Sequence, residues 1–207
     1  MAQYRSHSED RPRRAIETVE QFSHTRDEGA LDIPEGGGAR LNVEIKARAS
    51  GHRFVRRILK ERKAHRIGED RQTDTYFNVP EGRLKLREGN IENTLIFYRR
   101  TNMAGPKKSE VLLYRVNPDP DLKEVLAASL GVKVVVSKRR EIWFDGNVKI
   151  HLDDVDGLGL FLEIEAIDSD GSRDEIELTK QCRFFMELFE ISEQDLIEIS
   201  YSDLIDK

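Results

Sequence analysis

Arginine, lysine and carboxylate side chains recur at every second position in successive stretches of this chain. Glu44, Lys46 and Arg48 alternate in NVEIKAR, Arg83, Lys85 and Arg87 in RLKLREG, and Lys138 and Arg140 in VKVVVSKRREIWF. Arg100 closes TLIFYRR, Asp153 follows Lys149 and His151 in VKIHLDDV, and Glu163 and Glu165 alternate in LFLEIEAI. Guanidinium forks match phosphate oxygens in pairs, and lysine supplies a compact positive charge. Carboxylates clustered without a Cys or His partner suit a hard ion, Mg2+ or Mn2+, that keeps some of its water. The chemistry these residue types imply is the binding of a metal-bound polyphosphate.

Period-two alternation is the signature of strands, so each stretch has one charged face and one apolar face. Taken singly, such a strand turns its apolar side to the core and its charges to water. Two features favour the opposite arrangement. Cations dominate some strands and carboxylates others, so the faces complement one another. Three amphipathic helices are also available to cover an apolar outer surface. A barrel then carries Lys46, Arg48, Arg83, Lys85, Arg87, Arg100, Lys138 and Arg140 against Glu44, Asp153, Glu163 and Glu165 around a wet lumen. A dry interior would not tolerate them, because desolvation costs several kcal/mol per ion.

The elements follow in order. After NVEIKAR, the run RFVRRILKERKAHRIG predicts a helix ending near Gly68. His52 and His65 read as exposed helix or loop residues, with no partner at ligand spacing. Strands are expected at RQTDTYFN, RLKLREG, TLIFYRR and EVLLYRV, with a loop from Thr101 to Ser109. Pro118-Asp119-Pro120 opens a helix that stops at Gly131. A hairpin turning at Asp145-Gly146-Asn147 and a strand LFLEIEAI follow, then a helix through Phe189. Ser192 and Asp195 resemble an N-terminal cap for a short helix, and YSDLIDK is expected to dock as a final short strand. The fold class is α+β: roughly eight antiparallel strands, closed into a barrel, with helices packed outside.

At 207 residues the chain suits one sizeable domain. Residues 1–40, punctuated by Pro12, Gly29, Pro34 and Gly36-Gly37-Gly38, read as a flexible tail, and 41–207 as the domain. A net charge of -5 argues against a general nucleic-acid binder. The N-terminal residues lack the apolar core of a secretory signal, and no run nears the roughly 20 apolar residues that span a bilayer. The single cysteine, Cys182, excludes an intrachain disulfide and sits in an apolar run, as a buried thiol would. The chain is read as cytoplasmic, with no membrane or nucleic-acid partner, and as a monomer or homodimer.

The ordered set NVEIKAR, RQTDTYFNVPEGRLKLREG, LIFYRR, SKRREIWF, HLDDVDGLGLFLEIE and YSDLI resembles the CYTH family, or triphosphate tunnel enzymes, over about residues 41 to 205. The pattern is most similar to the class IV adenylyl cyclase-like subgroup, related to thiamine triphosphatases. The resemblance implies an eight-stranded tunnel binding a triphosphate and a divalent metal. It implies metal ligation by Glu44, Glu163, Glu165 and Asp153, and phosphate binding by Lys46, Arg83, Lys85, Arg87, Arg100, Lys138 and Arg140. Glu44 and Lys46 would act in catalysis; Arg48 and Arg87 fall near a tunnel mouth. The expected reaction is hydrolysis of tripolyphosphate, a nucleoside triphosphate or thiamine triphosphate. Cyclisation of ATP, or binding without turnover, are the other outcomes the same residues allow. One position departs: the family's first ExExK glutamate is Asn42 here, which keeps an acceptor oxygen but loses a charge.

Overall fold

A computed structural model describes residues 40–100, 102–117 and 120–205. Apart from Arg40, which begins the first strand, the tail expected over residues 1–40 lies outside the described residues. The elements are β1 (Arg40–Arg48), α1 (Arg53–Glu61), β2 (His65–Phe77), β3 (Arg83–Glu88), β4 (Thr94–Arg100) and β5 (Lys107–Arg115). They continue with α2 (Pro120–Leu130), β6 (Val132–Asp145), β7 (Val148–Val155), β8 (Gly159–Asp168), α3 (Glu175–Leu188), a 3-10 turn (Glu193–Asp195) and α4 (Tyr201–Ile205). The strands form a closed antiparallel barrel in the order β1-β5-β4-β3-β2-β6-β7-β8. Closure pairs every strand on both sides and leaves no open sheet edge.

Most apolar residues of β1, β7 and β8 face outward, while Ile96, Val111 and Leu113 of β4 and β5 face the lumen. Val43 and Ile45 of β1, Ile150 and Leu152 of β7, and Leu162 and Ile164 of β8 form one buried cluster with Val55, Ile58 and Leu59 of α1 and Leu178, Cys182 and Phe185 of α3. Each such side chain, once fully buried, contributes roughly 1.5–3 kcal/mol. Helices α1 and α3 thus dry this side of the barrel, whereas Leu112 and Tyr114 on β5 stay exposed, and alternate residues of the covered strands are left to line the inside. Helix α2 does not join this cluster, and its Val125 is exposed. Cys182 is buried against the Val43 carbonyl, 3.2 Å away, and burial pushes its thiol up to about 12.

Three boundaries differ from those read in the sequence. Helix α1 stops at Glu61 rather than near Gly68, because no apolar residue continues its buried stripe after Leu59. Lys63 turns the chain with a left-handed φ of 59°, and His65 already belongs to β2. Strand β5 begins at Lys107, inside the expected loop, where the buried Lys107 ammonium reaches the Ile197 and Glu198 carbonyls at 3.0 and 3.3 Å. The closing segment is a helix, α4, not a strand. Ser200 and Asp203 form a reciprocal cap, with the Ser200 N–H donating to Asp203 at 3.2 Å and the Asp203 N–H donating to Ser200 Oγ at 3.3 Å.

Candidate functional site

The barrel register sets the inward charges in cross-strand rows. Glu44 lies opposite Lys107 on β5 and Glu165 on β8. Lys46 lies opposite Glu163, which lies opposite His151 on β7; Asp153 lies opposite Arg140 on β6. Six of the predicted cations (Lys46, Lys85, Arg87, Arg100, Lys138 and Arg140) line one cavity of about 120 Å3 together with Asn42, Glu44, Glu163 and Glu165. Tyr76, Tyr98 and Tyr201, two serines and the apolar Ile96, Val111 and Leu113 complete its wall.

Buried cations need partners, and internal carboxylates supply them. Glu44 pairs with Arg100, and Lys46 with Glu163. Arg140 grips Asp153 through two bonds of 2.7 and 2.5 Å and reaches Glu163 at 2.5 Å. The hub of the opposite wall is Asp74 of β2. It accepts from Arg87 at 2.8 and 3.0 Å, from Lys85 at 2.9 Å and from Lys138 at 2.7 Å. Glu92 accepts from Arg87 at 2.9 Å and Lys149 at 2.5 Å, joining β3 to β7 across the lumen.

These pairings shift the titrations. Burial alone would raise the Asp74 carboxyl, yet Arg87, Lys138 and Lys85 hold it well below the usual range. Burial would likewise raise Asp153, but Arg140 brings it down to about 2. Burial, reinforced by Arg100, pushes Lys46 well below an ordinary lysine. His151 is also pushed well below its ordinary value, by burial and then by Arg140 and Lys149.

Lys138 carries a pH dependence. Burial lowers it to about 7, with Asp74 opposing and Arg87 and Arg140 adding to the drop. It is charged below that pH, and a bound polyanion favours the charged form. Binding inorganic tripolyphosphate is therefore expected to take up a proton above pH 7. Affinity should fall by up to about tenfold per pH unit from there. Calorimetry at pH 8 in buffers of different ionisation enthalpy checks the uptake, which Lys138→Arg should remove.

Not every predicted residue lines the cavity. Arg83 borders a neighbouring pocket of about 170 Å3 with Phe77, Asn78 and Ser202, and pairs with Asp203 of α4 at 2.7 Å. Asp153 lies beneath the lining, fully buried, where it also accepts from the Tyr201 hydroxyl at 2.8 Å. Of the two arginines expected near a mouth, Arg48 is exposed over the Phe161 ring, whereas Arg87 is buried between Asp74 and Glu92. Tyr201 of α4 sits edge-on to Phe161, and Lys46 lies 3.5 Å above its ring centre.

The sequence reading missed Asp74 and Glu92 as partners of the cations, and it left His151 out of the ligand count. Asp74 was findable: Asp70, Gln72, Asp74 and Tyr76 share the inward face of β2 by the same alternation. Glu92 was not, since it projects from the β3–β4 turn. Against the expectation of carboxylates without a histidine, His151, Glu163 and Glu165 bring ligand atoms within 4.8 Å of one another. Glu163 and Glu165 face the cavity and Glu44 lies beside them, so the donor set fits a divalent cation. Four buried side-chain atoms here have no hydrogen-bond partner: Asn42 Oδ1, Ser109 Oγ, Arg100 Nε and His151 Nε2.

Comparison with known proteins fits this geometry. A protein of Methanocaldococcus jannaschii named "Putative adenylate cyclase" is 28% identical over 173 residues, covering 79% of this chain and 98% of the relative. Among solved structures, a Pyrococcus horikoshii OT3 protein matches with a TM-score of 0.65 at 25% identity, covering 79% of this chain and 98% of that one. An adenylyl cyclase-like protein from Hippeastrum, described as revealing a dominant triphosphatase activity, shares the fold with a TM-score of 0.54 at 13% identity. The match covers 80% of this chain and 93% of the Hippeastrum chain. Among the described residues no helix is long and apolar enough to cross a membrane. The CYTH domain model matches residues 40–201, and the chain belongs to the CYTH family.

Proposed function

We propose that this protein hydrolyses a triphosphate compound in a metal-dependent reaction inside the barrel. The candidates are inorganic tripolyphosphate, a nucleoside triphosphate and thiamine triphosphate. The observation that carries the reading is the convergence of six cations and three carboxylates on one cavity. Lys85, Arg87 and Lys138, which share Asp74, keep further N–H groups free to take phosphate oxygens. Arg100 and Arg140 face the same space from β4 and β6. Glu44, Glu163 and Glu165 would hold Mg2+ or Mn2+, which would supply Lewis acidity toward a bound phosphate. The rest is electrostatic positioning in a water-poor site, where fixed donors neutralise charge without reorganising. Lys46 Nζ lines the same cavity beside Glu163, where as a cation it takes phosphate oxygens and, once deprotonated, can accept a proton from the attacking water.

A second reading follows from the name of the M. jannaschii relative: ATP cyclisation, with the ribose 3'-hydroxyl as nucleophile. The same lining would hold the phosphates, and only the placement of the ribose differs. Incubating the protein with ATP, thiamine triphosphate and tripolyphosphate at fixed Mg2+ and Mn2+, then resolving products, separates the readings. Orthophosphate supports hydrolysis and cyclic AMP supports cyclisation. Tight binding without product leaves a binding protein and overturns both.

Asn42 offers a second handle, since its unpartnered oxygen lines the cavity beside Glu44. Restoring a charge with Asn42→Glu is expected to lower the Mg2+ concentration for half-maximal turnover by roughly tenfold. A Mg2+ titration of both proteins checks this.

A further inference from the structure

We infer that His151 supplies a nitrogen ligand to a cation held by Glu163 and Glu165, so that the lumen prefers Mn2+ or a later transition ion over Mg2+. The inference deepens the proposed function by assigning a ligand and a metal class to the same site. It requires neither hydrolysis nor cyclisation to be true.

Three observations carry it. First, register brings the groups together: His151 is the direct cross-strand partner of Glu163, and Glu165 follows on the same face of β8. Second, the imidazole is 1% exposed and turns Nδ1 toward both carboxylates, making only a long hydrogen bond to Glu163. Nε2 has no partner, while Nδ1 is 3.4 Å from Glu163 and 3.7 Å from Glu165, both longer than a good N–H···O bond. Nε2 is buried and unpaired in either tautomer, so the two tautomers differ at Nδ1. With the proton on Nε2, the Nδ1 lone pair points at two carboxylates, an arrangement that is repulsive unless a cation lies between them. Third, ion pairing leaves Glu165 available. Arg100 holds Glu44, and Lys46 and Arg140 hold Glu163, whereas Glu165 has the His151 imidazole beside it at 3.7 Å.

The spacing suits an ion. Donors about 2.1 Å from a metal lie about 3 Å apart when adjacent. Separations of 3.4 and 3.7 Å therefore need side-chain shifts of only about half an ångström. An imidazole nitrogen suits Mn2+ and later ions better than Mg2+, which favours oxygen and water.

Mn2+ alone, added to the full-length protein, is the probe, with pulsed electron paramagnetic resonance reading nitrogen coupling to the bound ion. The expected result is a histidine nitrogen coupling that changes when histidine is labelled with 15N and disappears in His151→Gln. The Mn2+ over Mg2+ affinity ratio should fall about tenfold in that variant. Should His151→Gln not fold, Glu165→Gln is expected to remove the same coupling, because it takes away the second anchor of the ion. Bound Mn2+ without nitrogen coupling, coupling that persists in the variant that folds, or no Mn2+ binding at all overturns the inference. Since turnover is not measured, failure of the triphosphatase reading leaves this result intact, and the reverse also holds.

Discussion

Glu163→Gln is expected to lower triphosphate turnover by two to three orders of magnitude, roughly the cost of removing one preorganised electrostatic group from a closed site. Glu163 is the carboxylate on which the catalytic wall meets: Lys46, Arg140 and His151 all reach it. The amide keeps the shape but loses the charge that holds the ion and balances two buried cations. The loss should fall on kcat at saturating substrate, because Lys85, Arg87 and Lys138 of the opposite wall, proposed to hold the phosphates, remain on Asp74. Steady-state kinetics at several Mg2+ concentrations check it. A variant whose loss is recovered by raising Mg2+ has lost affinity for the ion alone.

The second large effect falls on stability. Asp74→Asn leaves Lys85, Arg87 and Lys138 facing one another without the anion that neutralises them. Stranding buried charge in this way costs about 3–5 kcal/mol, which for a chain this size lowers the melting temperature by about 10 °C. The sign with pH follows from the depressed Asp74 carboxyl. Its contribution is fully present above the ordinary aspartate range and is lost as pH falls through the lower folded value. Wild type and variant should therefore converge in stability in strong acid. Tripolyphosphate should also raise the variant's melting temperature more than the wild type's, since a bound phosphate replaces the missing anion. Differential scanning calorimetry with and without tripolyphosphate measures both effects.

The architecture was legible because strand faces repeat every two residues. Leu84 against Lys85, or Ile164 against Glu165, declares two faces whatever the tertiary structure is. The count of amphipathic helices then decided which face turned outward. The cation set was legible for the same reason, and Lys46, Lys85, Lys138 and Arg140 share one cavity. What alternation does not carry is which charge answers which. Asp74 serves cations from both β3 and β6 because the barrel closes β2 between them. Glu92 reaches Lys149 from a turn, 57 positions away in sequence. The helix α4 was misread although Ser200 and Asp203 carry the same S-x-x-D signal that marks Ser192 and Asp195. An apolar-aromatic run at the chain's end looked like strand, and capping decided otherwise. Arg83 was placed on the right face, but the length of β3 carries it past the cavity to Asp203.

The central claim is that the inward cations form one phosphate-binding lining. Calorimetric titration of inorganic tripolyphosphate into wild type, Lys85→Ala and Lys138→Ala tests it most directly. Each substitution removes one of three cations from Asp74, so the remaining two still neutralise it and the barrel is retained. Each should weaken binding about ten- to a hundredfold, the value of one charged hydrogen bond. Arg57→Ala, on the exposed side of α1, should bind as wild type does. Unchanged affinity in both lysine variants, or an equal loss in Arg57→Ala, would contradict a phosphate-binding lumen.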